Sequence, residues 1–142
     1  MKVLVTGGAG AVGTTVVKGL AATGFEVTVF DRVAPVPADV LGAGVFPVAS
    51  IIGDVGDLTS VLAAVRGMDA VIHLTNAPGG QWESNLQTNL VGTYNIFEAS
   101  AQAGVQLAAA VKPFSPRLPA HFYGESLRKH TERCTNDSTV DD

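Results

Sequence analysis

The stretch Lys2–Gly13, which reads KVLVTGGAGAVG, decides the fold of this chain. It begins with the aliphatic and β-branched run Val3–Val5, which is typical of a strand buried on both faces. Glycines crowd the next positions, and apolar residues then recur at helical spacing at Val12, Val16 and Leu20. The stretch therefore predicts a buried strand, a tight glycine turn and a helix.

The glycines of this turn match a phosphate-binding pattern. Gly8, Gly10 and Gly13 fit G-x-G-x-x-G, and the longer pattern T-G-x-x-G-x-x-G starts at Thr6 and Gly7. Gly10 lets a pyrophosphate approach the main chain, and Gly13 lets the helix lie close to the strand. The N–H groups at the helix N-terminus attract the anion. Placed between a strand and a helix, the pattern favours dinucleotide binding over a glycine turn used for packing alone.

An acidic residue follows the second predicted strand, Phe25–Phe30, at the position expected of a ribose-binding carboxylate. Asp31 lies eighteen residues after Gly13, and it can accept hydrogen bonds from both hydroxyls of the adenosine ribose of NAD. Arg32 could instead hold the 2′-phosphate of NADP, although Asp31 would repel that phosphate. We therefore predict NAD as the cofactor in preference to NADP.

Composition narrows the class of protein. The chain has 142 residues, of which 46% are hydrophobic and 15% charged, as suits one domain with helices covering a sheet. A net charge of −4 argues against nucleic acid as a partner. The longest apolar stretches, about seven residues, are too short to span a bilayer, and no signal peptide is visible, so a cytoplasmic location is expected. The single Cys134 has no zinc-ligand set nearby, and no metal site is predicted.

Strands and helices alternate as far as Val111, which predicts a three-layer α/β fold of the Rossmann type. The expected parallel sheet has about five strands in the order 3-2-1-4-5, with right-handed crossovers placing helices on both faces. Pro47 suits an edge strand, and Asp57 is placed to cap a helix. After the first two strands, the predicted elements are strands at Val45–Ile52, Asp69–Leu74 and Val105–Val111, and helices at Leu58–Arg66 and from Glu83 to Ala103.

Three polar residues have more than one interpretation. Asp54 is either a solvated loop carboxylate or an acceptor for the adenine amino group at the carboxyl edge of the sheet. His73 lies within a buried strand and is better explained as a hydrogen-bonded core histidine than as a general base. Asn89 is either a surface residue or a ligand of a backbone carbonyl or water beneath an active site.

Five segments in this order resemble the extended branch of the short-chain dehydrogenase/reductases, the NAD-dependent epimerases/dehydratases. They are TGGAGAVG, Asp31, GDVGD, HLTNAP and NLVGTYNIFEASAQAGV, and the resemblance extends from Met1 to about Val105. It implies an oxidoreductase that acts on sugar or nucleotide-sugar substrates. It also implies a homodimer, because members of this family commonly pair through the longest helix and the helix that carries their tyrosine.

The resemblance assigns roles to individual residues of this chain. The dinucleotide would lie along the carboxyl edge of the sheet, with its adenosine half near the second strand and its nicotinamide half near the fourth. The implied cofactor contacts are Gly7, Gly10, Ala11 and Val12 at the pyrophosphate, Asp31 at the adenine ribose, Asp54 and Val55 beside adenine, Leu74, Thr75 and Asn76 on the nicotinamide side, and Asn89 as a support for the active site. Gly13 in the turn and Arg32 beside Asp31 are also candidate cofactor-binding residues.

The chain departs from the family after residue 111. The family uses a Tyr-x-x-x-Lys helix, in which the lysine lowers the pKa of a catalytic tyrosine; here Tyr123 is followed by leucine at position 127. A free tyrosine titrates near pH ~10. No hydroxyl stands in Lys112–Phe114, where the family has a serine or threonine. We interpret residues 1–111 as the Rossmann core, 112–134 as a divergent remnant of the active-site segment and 135–142 as a polar tail.

These departures leave three hypotheses for function. The leading one is the NAD(P)-binding domain of an epimerase/dehydratase-type oxidoreductase, truncated and weak or inactive alone, with Tyr123 as its candidate acid/base. The second is a non-catalytic dinucleotide-binding regulatory module. The third is an inactive truncated gene product.

Overall fold

A computed structural model describes residues 1–33, 48–77 and 81–111. Within these ranges five parallel strands form one sheet in the order β3-β2-β1-β4-β5. This order confirms the predicted Rossmann-type α/β fold. The strands are β1 (Lys2–Thr6), β2 (Glu26–Asp31), β3 (Ala49–Ile52), β4 (Ala70–His73) and β5 (Leu107–Ala110).

In the described residues, helices follow β1, β3 and β4, as predicted. Helix α1 (Ala11–Ala22) follows β1, and α2 (Leu58–Val65) follows β3. The predicted long helix consists of three consecutive segments: α3 (Trp82–Asn85), a π-helical segment (Leu86–Val91) and α4 (Gly92–Gln102). Among the described residues, no helix is both long enough and apolar enough to cross a membrane.

The central strand β1 is buried on both faces, as its uninterrupted apolar run predicts. Val3 and Val5 point to the face that α1 covers, whereas Leu4 points to the face that α2 and α4 cover. All three side chains are at most 1% exposed. Burying a Val or Leu side chain fully stabilises a fold by roughly 1.5–3 kcal/mol, so β1 is a main contributor to both cores.

The sheet thus separates two hydrophobic cores. Alternate residues of β2 and β4 join opposite cores, because side chains along a strand alternate between its faces. The core on the α1 side contains Val3, Val5, Val17, Ala21, Val27, Val29 and Ala70. The core on the side of α2 and α4 contains Leu4, Phe30, Val55, Val61, Ala64, Val65, Val71, Ile96 and Ala99.

The long helix does not bury all of its apolar residues. Leu90 and Tyr94, which are four positions apart as on one face of a helix, are 65% and 64% exposed. The buried positions of α4 are instead small or polar, apart from Ile96, and include Gly92 and Asn95. The helix therefore has apolar residues on more than one face.

Helix α2 begins at the predicted cap. The Asp57 carboxylate accepts hydrogen bonds from the N–H of Thr59, at 3.0 Å, and from the hydroxyl of Ser60. These bonds, led by the one from Ser60, hold the pKa of Asp57 below its ordinary value of 3.8. Because the folded state favours the carboxylate, this cap contributes its stability above that ordinary value and loses it as the pH falls through the lowered pKa.

Several predictions from the sequence concern residues outside these ranges. They are the edge position of Pro47, the candidate acid/base Tyr123, the divergent segment 112–134 and the polar tail 135–142.

The start of α1 depends on the small size of Gly13. A Cβ added at Gly13 would lie 2.1 Å from the carbonyl oxygen of Gly7 and 2.6 Å from the Cα of Gly8. Both distances are far below van der Waals contact, and both neighbours are backbone atoms. The close approach of helix and turn that the glycine pattern predicts is therefore present.

We expect Gly13→Ala to destabilise the domain by at least about 2 kcal/mol, since an added methyl group must displace backbone. Gly19 is the matched control, because it lies on the same helix and a Cβ there would meet no atom within 4 Å. Gly19→Ala should stabilise the domain by about 0.5–1 kcal/mol. Urea denaturation of the two variants checks this difference, and equal unfolding free energies would contradict it.

Candidate functional site

The glycine turn between β1 and α1 lies at the carboxyl edge of the sheet. Gly7 has a φ of 71°, a left-handed conformation that glycine adopts without strain. The N–H of Gly10 donates to the carbonyl of Gly7 at 3.1 Å, and the N–H of Thr14 donates to the carbonyl of Gly10 at 2.8 Å. Helix α1 therefore starts directly after the turn.

The first turn of α1 offers backbone donors to an anion. The N–H groups at the start of any α-helix have no carbonyl partner within the helix, and here they belong to Ala11, Val12 and Gly13. Gly10, Ala11 and Val12 are exposed, and Gly10 brings no capping side chain. The first turn also has no acidic residue. An incoming pyrophosphate would meet free space and a partial positive charge.

Asp31 is hydrogen-bonded to the glycine turn. Its Oδ2 accepts a hydrogen bond from the N–H of Ala9 at 3.1 Å, and its Oδ1 accepts one from the N–H of Val33 at 3.4 Å. The carboxylate is half-buried at the end of β2. The turn that is predicted to bind the pyrophosphate and the carboxylate that is predicted to bind the adenosine ribose are therefore in direct contact.

The residues predicted beside adenine, Asp54 and Val55, follow β3. Asp54 is exposed, and its Oδ1 accepts from the N–H of Gly56 at 2.8 Å. Its other oxygen lies 3.9 Å from Nη1 of Arg32, with both side chains about half exposed, so this ion pair contributes little stability. The side chain of Val55 belongs to the core, and its carbonyl accepts from the amide of Asn95 at 2.9 Å.

The residues predicted on the nicotinamide side continue from β4. The N–H of Leu74 donates to the carbonyl of Thr6 at 3.0 Å, and the hydroxyls of Thr75 and Thr6 are 2.9 Å apart. Asn76 is exposed. A Cβ on Gly7 would lie 2.8 Å from the backbone nitrogen of Thr75, so the glycine turn and this segment lie side by side.

Asn89 joins the long helix to this segment, though not as predicted. The half-buried Asn89 accepts a hydrogen bond at its Oδ1 from the N–H of Ala77 at 3.0 Å, and its Nδ2 donates to Oδ1 of Asn85 at 2.9 Å. The backbone group that it binds is thus an N–H rather than a carbonyl. This contact holds the backbone after β4 against the helix.

His73 is a core histidine, which confirms the favoured interpretation. Its ring is 0% exposed and contacts Thr6 and Thr93 through its two nitrogens. Neither threonine was predicted from the sequence as a partner of His73. The available signal for Thr6 was its place at the end of β1, where the parallel register pairs it with His73.

The site fits a dinucleotide better than a metal ion. In the ranges 1–33, 48–77 and 81–111, no three His, Cys, Asp or Glu side chains are grouped so that they could hold a metal. A turn of glycines, a bare helix N-terminus and a carboxylate in contact with the turn instead match the phosphates and ribose of NAD.

The sequence matches the model of a protein family described as the NAD dependent epimerase/dehydratase family, over residues 3–138. It is 39% identical over 108 residues to the 2-alkyl-3-oxoalkanoate reductase of Stenotrophomonas maltophilia. That alignment covers 74% of this chain and 31% of the relative.

Two solved structures show similar folds. The uronate dehydrogenase of Agrobacterium tumefaciens, crystallised as a mutant with NAD, is 26% identical with a TM-score of 0.67, and the match covers 84% of this chain and 48% of that one. MoeE5 in complex with UDP-glucose and NAD is 30% identical with a TM-score of 0.70, covering 84% and 39%. The chain thus spans about a third to a half of the length of these relatives.

These matches confirm the resemblance inferred from the sequence motifs. They also confirm NAD as the predicted cofactor, since the family's description names it and both solved structures contain it. The matched region includes the glycine turn, Asp31 and all five strands of the sheet. The chain belongs to the NAD dependent epimerase/dehydratase family.

Proposed function

We propose that this chain is the NAD-binding part of an epimerase/dehydratase-type oxidoreductase. The observation that carries the proposal is the hydrogen bond from the N–H of Ala9 to Asp31. It makes the phosphate-binding turn and the ribose-binding carboxylate one unit, so that both can engage the same dinucleotide. In this arrangement the N–H groups of Ala11 and Val12 bind the pyrophosphate, and Asp31 accepts from the adenosine ribose hydroxyls.

The same carboxylate favours NAD over NADP. A 2′-phosphate would approach Asp31, whose negative charge lies next to the turn and repels a phosphate. Arg32 favours NADP, but its guanidinium lies near a second carboxylate, that of Asp54. The local balance of charge therefore disfavours a second phosphate.

The proposed substrate is a sugar or nucleotide sugar, which would bind beyond Leu74, Thr75 and Asn76. Support comes from two of the similar structures, a uronate dehydrogenase and a protein bound to UDP-glucose. NAD supplies a hydride acceptor for oxidation of a hydroxyl-bearing carbon. The oxoalkanoate reductase among the relatives marks a 3-oxoalkanoate as the competing substrate class.

We propose that turnover by this chain alone is weak. Tyr123 is the candidate acid/base, but Leu127 stands where the family's lysine would lower the pKa of that tyrosine. General acid/base catalysis contributes about 10²–10⁴-fold to rate, so its impairment has a large effect. A regulatory module that binds NAD without catalysis is the alternative that the same substitution favours. We place either form in the cytoplasm.

A homodimer is proposed from the exposed face of the long helix. Trp82, Leu90 and Tyr94 are all at least 64% exposed, although tryptophan and leucine are costly to leave in water. A second copy of the same helix would cover these side chains.

We expect the chain to bind NAD with a dissociation constant in the micromolar to millimolar range and NADP more weakly. Asp31→Ala should weaken NAD binding by roughly 10- to 100-fold, because hydrogen bonds to a charged group contribute about 1.5–3 kcal/mol. Asp31→Asn keeps an acceptor for Ala9 but removes the charge, so NADP binding should improve. Calorimetry with both dinucleotides measures these changes.

The matched control for Asp31 is Glu26, an exposed carboxylate at the other end of the same strand. Glu26→Gln should leave both affinities within twofold of the original protein. NADP binding equal to or tighter than NAD binding by the original protein would assign the ribose site to Arg32 and refute the NAD assignment.

Turnover with nucleotide sugars, uronates or a 2-alkyl-3-oxoalkanoate should be at least about 100-fold below that of a family member with an intact Tyr-x-x-x-Lys motif. Leu127→Lys alone should restore little, since Lys112–Phe114 also lacks the hydroxyl and such groups act as a unit. NADH formation measures the rate. Several turnovers per second, abolished by Tyr123→Phe, would show that the chain is a complete enzyme.

Sedimentation at tens of micromolar should detect self-association of the chain. The double variant Leu90→Glu, Tyr94→Glu should shift it toward monomer, because two charges would be buried in the interface. Lys18→Glu, on the exposed side of α1, is the control and should leave association unchanged. A monomer in the original protein would contradict the proposed dimer.

A further inference from the structure

A chain of hydrogen bonds runs through the interior beneath the glycine turn. It connects Thr75, Thr6, His73 and Thr93 through side-chain contacts of 2.9, 2.6 and 3.2 Å in that order. It ends at the backbone carbonyl of Asn89, which lies 2.6 Å from the hydroxyl oxygen of Thr93. The ends of β1 and β4, the segment after β4, the start of α4 and the π-helical segment are thereby connected.

The final acceptor sets the direction of the whole chain. A carbonyl oxygen only accepts, so the single hydroxyl proton of Thr93 must point to Asn89. Thr93 can then only accept from Nε2 of His73, and that nitrogen must carry a proton. The contacts at Nε2 alone thus select the Nε2-protonated form of His73, without reference to the contact at Nδ1.

The direction of the hydrogen bonds from His73 to Thr6 and Thr75 is fixed in the same way. A neutral imidazole carries one N–H, so Nδ1 of His73 is an acceptor when Nε2 is protonated. Thr6 must donate to Nδ1, which uses its only hydroxyl proton. In the remaining contact, Thr75 must therefore donate to Thr6.

We propose that His73 is a positioning residue that acts through Thr6 to orient the hydroxyl of Thr75. This inference rests on the proposed NAD-binding function and deepens it. Because its single hydroxyl proton is donated to Thr6, the hydroxyl of Thr75 acts toward a ligand as an acceptor only. It can accept from a ribose hydroxyl of the nicotinamide half, and it cannot donate to a phosphate or carboxylate.

The position of Thr75 makes this orientation relevant to the cofactor. Its backbone is in contact with Gly7, as the 2.8 Å distance from a Cβ on Gly7 to the nitrogen of Thr75 shows. It also follows β4, where the strand order of the sheet reverses and ligands of such folds bind. A π-helical turn is a feature that often occurs at functional sites, and here it supplies the carbonyl that sets the direction.

The first experiment determines the tautomer of His73 in the full chain without cofactor, at about pH 8, where histidine is ordinarily neutral. Imidazole ¹⁵N spectra are compared with those of His73→Asn, which retains His121 and His130 and so assigns the signals. We expect a protonated Nε2 and an unprotonated Nδ1. A protonated Nδ1 would overturn the proposal.

Thr93→Val and Thr93→Ser form the matched pair. Valine has the shape of threonine but no hydroxyl, so the preference of His73 for the Nε2-protonated form should be lost, whereas serine should keep it. NAD binding should weaken about threefold to tenfold in Thr93→Val, the effect of one neutral hydrogen bond, and stay within twofold in Thr93→Ser. An altered tautomer with unchanged NAD affinity would refute the positioning role.

Thr75→Val provides a second test that keeps both hydrogen-bond partners of His73, Thr6 and Thr93. It should leave the tautomer of His73 unchanged and weaken NAD binding about threefold to tenfold; unchanged binding would overturn the proposal. If neither the original protein nor any variant binds NAD, the proposed function fails. The tautomer and its response to Thr93→Val then decide the inference by themselves.

Discussion

The close approach of the Gly7 carbonyl to the backbone of Gly13 is the constraint on which the rest of the structure depends. With 2.1 Å between that oxygen and the place where a Cβ of Gly13 would stand, only glycine allows α1 to begin so near β1. This contact directs the N-terminus of α1 to the carboxyl edge of the sheet. It also sets α1 across Val3 and Val5, and so defines one of the two cores.

The second consequence concerns the site itself. Because the turn is this tight, its backbone can meet both neighbours of β1 at once. Ala9 donates to Asp31 at the end of β2, while Gly7 lies against Thr75 beyond β4. A dinucleotide needs a phosphate-binding turn with a ribose acceptor on one side and a nicotinamide pocket on the other. The parallel strand order places Asp31 and Thr75 on opposite sides of the turn, as the proposed function requires.

Hydrogen bonds between polar groups in the interior also constrain the structure. Thr6 and His73 have no exposed surface, yet each has hydrogen-bond partners at short distance. Buried polar groups are costly unless they are paired, so the chain from Thr75 to Asn89 requires a definite arrangement of β1, β4 and the π-helical segment. A purely apolar contact would tolerate sliding of the helix along the sheet, whereas the hydrogen bonds from His73 to Thr93 and from Thr93 to Asn89 specify the position of the helix.

The amino-acid sequence by itself determined the fold class, the strand order, the dinucleotide-binding turn, the role of Asp57 as a cap and the family. The buried strand, the turn and the cap depend on local patterns: an apolar run, glycines at fixed spacing, and an acceptor before a helix. These patterns involve residues close in the chain, so they are visible without coordinates. The strand order follows instead from the alternation of strands and helices along the chain, combined with right-handed crossovers.

The tertiary structure decided the pairings between distant residues. Only the folded chain shows that Asn89 accepts from Ala77, that Thr6 and Thr93 bind the two nitrogens of His73, and that Leu90 and Tyr94 face outward. The periodicity of a helix tells that it has faces but not which face a sheet will cover. That choice is made by packing, because small residues such as Gly92 let the helix approach the core closely, with a Cβ there only 2.6 Å from Val55.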